Sequence, residues 1–61
     1  MAKLFNIYVE DESGDSTYLG SFKAKAFNEA VREALEENGY DTSRYDKKTK
    51  TYEGRQVWEE K

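Results

Sequence analysis

The first stretch of the chain alternates. Phe5, Ile7 and Val9 stand on one parity and Leu4, Asn6 and Tyr8 on the other, the two-residue period of a strand whose faces meet different surroundings. Phe5, Ile7 and Val9 are expected to face the core. Residues 11–16, Asp-Glu-Ser-Gly-Asp-Ser, are polar throughout and contain a glycine, which reads as a hairpin loop. Residues 17–23, Thr-Tyr-Leu-Gly-Ser-Phe-Lys, resume a strand, and so short a loop makes the two strands antiparallel neighbours. Gly20 inside the second strand predicts a bulge or a close approach by another element. The register there decides whether Tyr18 or Leu19 joins Leu4 and Tyr8 on the outer side.

Over residues 26–38 the period changes. Phe27, Ala30, Val31, Ala34 and Leu35 fall at i, i+3, i+4, i+7 and i+8, one stripe of an amphipathic helix. The other side carries Asn28, Glu29, Arg32, Glu33, Glu36 and Glu37. Glu29 suits the positive end of the helix dipole, and Arg32 and Glu36 form an i,i+4 pair. Ala26 is a poor N-cap, so the start is free to slide by a residue or two. Asn38-Gly39 marks the stop, with Gly39 in the left-handed position and Tyr40 folding back on the last turn.

Residues 41–61 lack a clean period. Tyr45 to Tyr52 reads as a turn followed by a strand, and the run to Trp58 has strand propensity with Gly54 as a bulge. The expected order is β-β-α-β, or β-β-α-β-β if Arg44 and Tyr45 form a strand of their own. Either way the expected fold is α+β: one domain over residues 1–61, with one helix on one face of a small antiparallel sheet.

Composition narrows the chemistry. A domain of 61 residues buries only about 60% of its unfolded surface, and its stability is expected at about 3–5 kcal/mol. There is no cysteine and no histidine, so neither disulfides nor structural zinc can staple it. Nine aromatics supply the packing instead. No apolar run approaches the roughly 20 residues that span a membrane, and residues 1–4 lack the apolar core of a signal peptide, which makes a cytoplasmic location the default. The net charge is −3, with four basic and eight acidic groups in residues 1–40 and six basic and five acidic in residues 41–61. That balance alone calls for neither nucleic acid nor membrane.

Without histidine and cysteine the usual bases, nucleophiles and metal ligands are missing, and the four serines have no visible base. No phosphate-cradling glycine motif is present. The chain is therefore read as a non-enzyme without cofactor. The acidic loop Glu10, Asp11, Glu12, Asp15 offers oxygen ligands, but its spacing departs from an EF-hand and it is read as a solvated hairpin tip, with no metal.

Two surfaces remain. One is a partner-binding surface of Tyr8, Tyr18, Tyr52 and Trp58 with the helix carboxylates Glu33, Glu36 and Glu37, whose spacing lines one side of a helix and can imitate a phosphate array. The other is a nucleic-acid surface of Arg44, Tyr45, Lys47, Lys48, Lys50 and Arg55, where cations meet phosphate and rings stack on bases. The plainer reading of that segment is a solvated turn whose lysines guard a sheet edge. A third reading is a structural homodimer paired edge to edge through the last strand.

In size, acidity and aromatic content the chain resembles the short proteins of phages and mobile elements. Many of those are stoichiometric inhibitors of host enzymes, anti-restriction and anti-CRISPR proteins among them. The resemblance rests on composition and carries no residue roles. It implies an inhibitor or adaptor that binds another protein, its acidic face competing for a nucleic-acid-binding cleft. The partner's identity is open. The alternative to an exposed interaction surface is that the C-terminal segment folds over the outer sheet face and buries its rings.

Overall fold

The N-terminal alternation becomes β1 (Lys3–Glu10), joined by the expected hairpin to β2 (Ser16–Ala24). The computed structural model describes residues 1–60. The hairpin loop is organised by its first residue. The Asp11 carboxylate accepts from the amides of Ser13 and Asp15, both at 2.9 Å, and the Gly14 amide closes the turn on the Asp11 carbonyl at 3.0 Å. An aspartate that mimics a backbone turn in this way is a standard loop device.

Pairing runs in register from Lys3 opposite Ala24 to Ile7 opposite Gly20, then slips so that Tyr8 faces Tyr18 and Glu10 faces Ser16. Leu19 is the extra residue of a β-bulge. The bulge reverses the parity of β2. Ala24 and Phe22 point to the core on one side of it and Leu19 on the other, while Tyr18 and Ser21 both face outward. Gly20 sits at a φ of +126°, and a Cβ there would lie 3.0 Å from the Phe22 ring. The bulge and the close approach are thus one feature.

The helix α1 (Phe27–Glu37) buries Ala30, Val31, Ala34 and Leu35 completely against Phe5, Ile7 and Val9 of β1 and Leu19 and Ala24 of β2. Ala26 is extended and offers no cap; the Glu29 carboxylate instead reaches back to the Lys25 amide at 3.2 Å. The C-terminus closes in a Schellman motif, Gly39 amide to Glu36 carbonyl at 3.1 Å and Tyr40 amide to Leu35 carbonyl at 2.8 Å. The Asn38 carboxamide donates to the carbonyls of Ala34 at 2.7 Å and Leu19 at 2.8 Å, tying the helix end to the bulge.

A 3-10 turn (Thr42–Arg44), with Asp41 accepting from the Ser43 amide, leads into β3 (Tyr45–Asp46), β4 (Thr51–Tyr52) and β5 (Arg55–Glu60). The sheet order is β2-β1-β5-β4-β3, antiparallel throughout. The α+β class and the single helix on one face agree with the sequence. The last third, however, holds three strands rather than one or two. The added reversal is at Glu53-Gly54, whose φ values of +51° and +81° are the left-handed pair of a type I′ hairpin turn between the paired residues Tyr52 and Arg55. Gly54 is therefore a turn residue and not a bulge.

β5 lies inside the sheet, with β1 on one side and β4 on the other. β2 and β3 end the strand order, and β4 pairs with Arg55 and Gln56 only, so an edge-to-edge pairing through the last strand would be confined to Trp58–Glu60. The same placement settles where the C-terminal segment goes. As far as Glu60 it lies in the sheet beside β1 and does not cross the outer face. No helix is long and apolar enough to cross a membrane among the described residues.

Candidate functional site

With one helix on one side, a single sheet leaves its other side uncovered. Strand parity sends Leu4, Asn6, Tyr8 and Glu10 of β1 to that side, Tyr18, Ser21 and Lys23 of β2, and Gln56, Trp58 and Glu60 of β5. Tyr8 stands across from Tyr18 on one flank and Trp58 on the other. The Tyr8 and Trp58 rings stack at 6.0 Å with an interplanar angle of 12°, and Tyr8 meets Tyr18 at 5.0 Å, tilted by 47°. The three rings make one row across β2, β1 and β5. Tyr18 is 52% and Trp58 36% exposed, and Leu4, at 61%, extends the apolar patch.

Polar groups act on one end of the row and on its middle ring. The Tyr18 hydroxyl hydrogen-bonds the Ser21 hydroxyl at 2.8 Å and reaches the Asn6 carboxamide oxygen at 3.4 Å, while Ser21 donates to that same oxygen. A ring oriented before contact loses less freedom on docking. A hydrogen bond with the Glu60 carboxylate is the main reason the Tyr8 phenol is held above its ordinary value, with desolvation and the charges of Glu60 and Tyr18 adding to it. Glu10, two residues beyond Tyr8 on β1, stands on the other side of the row, so the rings lie between two carboxylates.

The other residues expected at a partner surface lie elsewhere. Glu33, Glu36 and Glu37 are exposed on α1, with the sheet between them and the ring row. One flat contact cannot use both. Tyr52 is only 4% exposed and belongs to the core. It meets Tyr40 edge-on at 5.2 Å, accepts from the Asp41 amide at 3.3 Å and lies under the Arg55 guanidinium at 5.5 Å. The type I′ turn is the cause, because it sets Tyr52 opposite Arg55 on the parity of Val57 rather than that of Trp58.

The basic segment is also divided. Arg44 pairs with Glu53 and lies 3.7 Å from Asp41, and Arg55 reaches Glu53 at 3.2 Å. The hydrogen bond from Arg44 holds Glu53 below the usual carboxylate range; desolvation opposes it, and the charges of Arg44 and Arg55 and the Arg55 hydrogen bond add to it. The Ser43 hydroxyl and amide do the same for Asp41, helped by the charge of Arg44. Tyr45 donates to the Asn28 carboxamide at 2.8 Å, and burial, then the charge of Asp46, raises its phenol. Lys50 sits over the Phe27 ring at 5.4 Å. Lys47 and Lys48 stay exposed in the turn between β3 and β4, where Arg32, Ser43, Tyr45 and Lys47 border a shallow open groove. Trp58 is on the opposite side of the sheet from Tyr45. Among the described residues, no three acidic groups are placed to hold a metal ion.

Glu10, Glu60, Asn6 and Ser21 were not anticipated beside the rings. A strand signal existed for two of them: Asn6 and Glu10 share the parity of Tyr8. Placing Ser21 and Glu60 requires the bulge and the position of β5, which are not local properties. No protein family matches the chain, and comparison with curated proteins and with solved structures likewise gives no match.

Proposed function

We propose that the chain is a non-enzymatic protein-binding module that docks through the outer face of its sheet, as a stoichiometric inhibitor or adaptor of the phage or mobile-element type. The observation that carries this reading is the row Tyr8, Tyr18, Trp58, packed ring against ring with no part of the described chain over it. Large rings contribute most of the energy at many protein interfaces, and Trp and Tyr lead among the residues that do so. The partner is a protein with a cationic surface. The rings sit between Glu10 and Glu60 in a chain of net charge −3, and a cleft built for nucleic acid is cationic in the same way. The carboxylates that compete for it are those beside the rings rather than those of the helix.

Affinity capture from lysate of the source cell, read by mass spectrometry, tests the reading with three forms of the full chain. Wild type and a Glu33→Gln/Glu36→Gln/Glu37→Gln variant are expected to recover one protein in near-stoichiometric amount. A Tyr8→Ala/Tyr18→Ala/Trp58→Ala variant with an unchanged circular dichroism spectrum is expected to lose it. Recovery of the same protein by the ring variant refutes the reading. So does a wild-type dimer in gel filtration that the ring variant converts to monomer, because the face is then covered by a second copy.

A further inference from the structure

We infer that the ring row is a receptor for guanidinium groups, so that the segment of the partner seated on it carries arginine. This rests on the docking reading above and adds the chemistry of what docks. The chain's own cations show how its rings are otherwise used. On the helix side, Lys50 lies over Phe27 at 5.4 Å and Arg55 over Tyr52 at 5.5 Å. On the outer side, no Lys or Arg of the described residues stands over Tyr8, Tyr18 or Trp58. Tyr8 is engaged by its two neighbours, so the negative π faces left to another molecule are those that Tyr18 and Trp58 turn away from it.

The neighbours select the cation. Glu60, across from Asn6, and Glu10, across from Ser16, place one carboxylate on each side of the row. A guanidinium is planar and weakly hydrated, stacks on a ring and presents a fork of donors to a carboxylate at once. A lysine ammonium is compact and strongly hydrated, and gives up more on leaving water. Among the outward positions of the three strands only Lys23 is cationic, and it stands across from Leu4, away from Trp58. A second copy is the poorer occupant, since it would bring Glu10 and Glu60 against the same two carboxylates with one lysine per face to answer them.

The test is an NMR titration of the isotope-labelled full chain with three blocked peptides, acetyl-Gly-Xaa-Gly-Xaa-Gly-amide, where Xaa is arginine, lysine or norleucine. With arginine, the ring signals of Tyr8, Tyr18 and Trp58 and the Glu60 amide are expected to move in a saturable, salt-sensitive way, with an affinity about threefold or more above that for lysine. Trp58→Leu, which keeps apolar bulk but removes the ring, is expected to weaken arginine binding about fivefold. Glu60→Gln is expected to lower both affinity and salt sensitivity while leaving the fold intact. Equal binding of arginine and lysine overturns the assignment, as do shifts centred on Glu33, Glu36 and Glu37, or no ring shifts with arginine. Ring shifts as large with norleucine also overturn it, yet they leave the docking reading standing. That reading is decided separately by the capture experiment with the ring variant.

Discussion

Replacing Gly20 by alanine tests the feature that puts Tyr18 on the outer face. At φ +126° an L-residue is strained, a cost of about 1–3 kcal/mol for a sparsely populated backbone region. The new Cβ would also lie 3.0 Å from Cε2 and 3.2 Å from Cζ of Phe22. Phe22 packs against the core, so its ring cannot swing freely into solvent, and pushing it off its rotamer adds about 0.5–1.5 kcal/mol. The total, about 1.5–4.5 kcal/mol, approaches the whole stability of about 3–5 kcal/mol expected for so small a domain. Gly54→Ala is the control, because Gly54 has a positive φ of +81° but nothing within 4 Å of its would-be Cβ. Urea unfolding followed by circular dichroism is expected to show Gly20→Ala well below Gly54→Ala. Thermal melting is expected to fall by about 6 °C or more, at about 4–8 °C per kcal/mol for this size. If the chain escapes the strain by ironing out the bulge, the parity of β2 changes on one side of it, and the Tyr8–Tyr18 ring contact disappears from NOE spectra. A Gly20→Ala variant within about 0.5 kcal/mol of wild type, with that contact intact, would refute the argument that the glycine maintains the bulge.

Three further outcomes follow from the packing and the ion pairs. Leu35→Ala removes a fully buried side chain at a cost of about 2–5 kcal/mol, so the variant is expected to be largely unfolded at 37 °C by circular dichroism. Asn38→Ala breaks both carboxamide bonds between the helix end and the bulge and is expected to cost about 1–2 kcal/mol, with faster amide exchange in the last turn of α1 than at its centre. Asp41 and Glu53 have depressed folded-state values. Their contribution is present above the ordinary carboxylate range and is lost as pH falls through the folded values, so the urea midpoint is expected to drop between pH 7 and pH 3 and to drop less in Glu53→Gln.

How much of this was readable beforehand depends on the length over which each pattern repeats. β1 alternates for eight residues and α1 keeps its stripe for eleven, so both stand out against chance, and Gly20 announced the bulge. β3 and β4 have two residues each, too few to show a period. The turn between β4 and β5 was hidden because Glu53 occupies a position where asparagine or aspartate is the usual signal. Tyr52 is the casualty of that gap. In one unbroken strand it shares the parity of Trp58, but the two-residue turn places it with Arg55 and Val57 in the core. The ring row was legible only in its members. Tyr8 and Tyr18 meet because the bulge shifts the register by one, and Tyr8 meets Trp58 because β5 inserts beside β1. Neither event is written in a local window.

The geometry of the outer face also makes its two kinds of attraction separable. Contacts to Glu10 and Glu60 are electrostatic at an open surface, where the screening length is about 10 Å at 0.1 M salt and about 3 Å at 1 M. Burial of the rings is not screened, and sulfate or phosphate salts strengthen it. A partner held by both therefore loses affinity between low and moderate salt and then levels off. The plateau belongs to Tyr8, Tyr18 and Trp58, and the slope to the carboxylates. Trp58→Leu should lower the plateau and leave the slope, whereas Glu60→Gln should flatten the slope and leave the plateau. If both substitutions change the slope and plateau together, the rings and carboxylates act as one coupled unit and the separation is refuted.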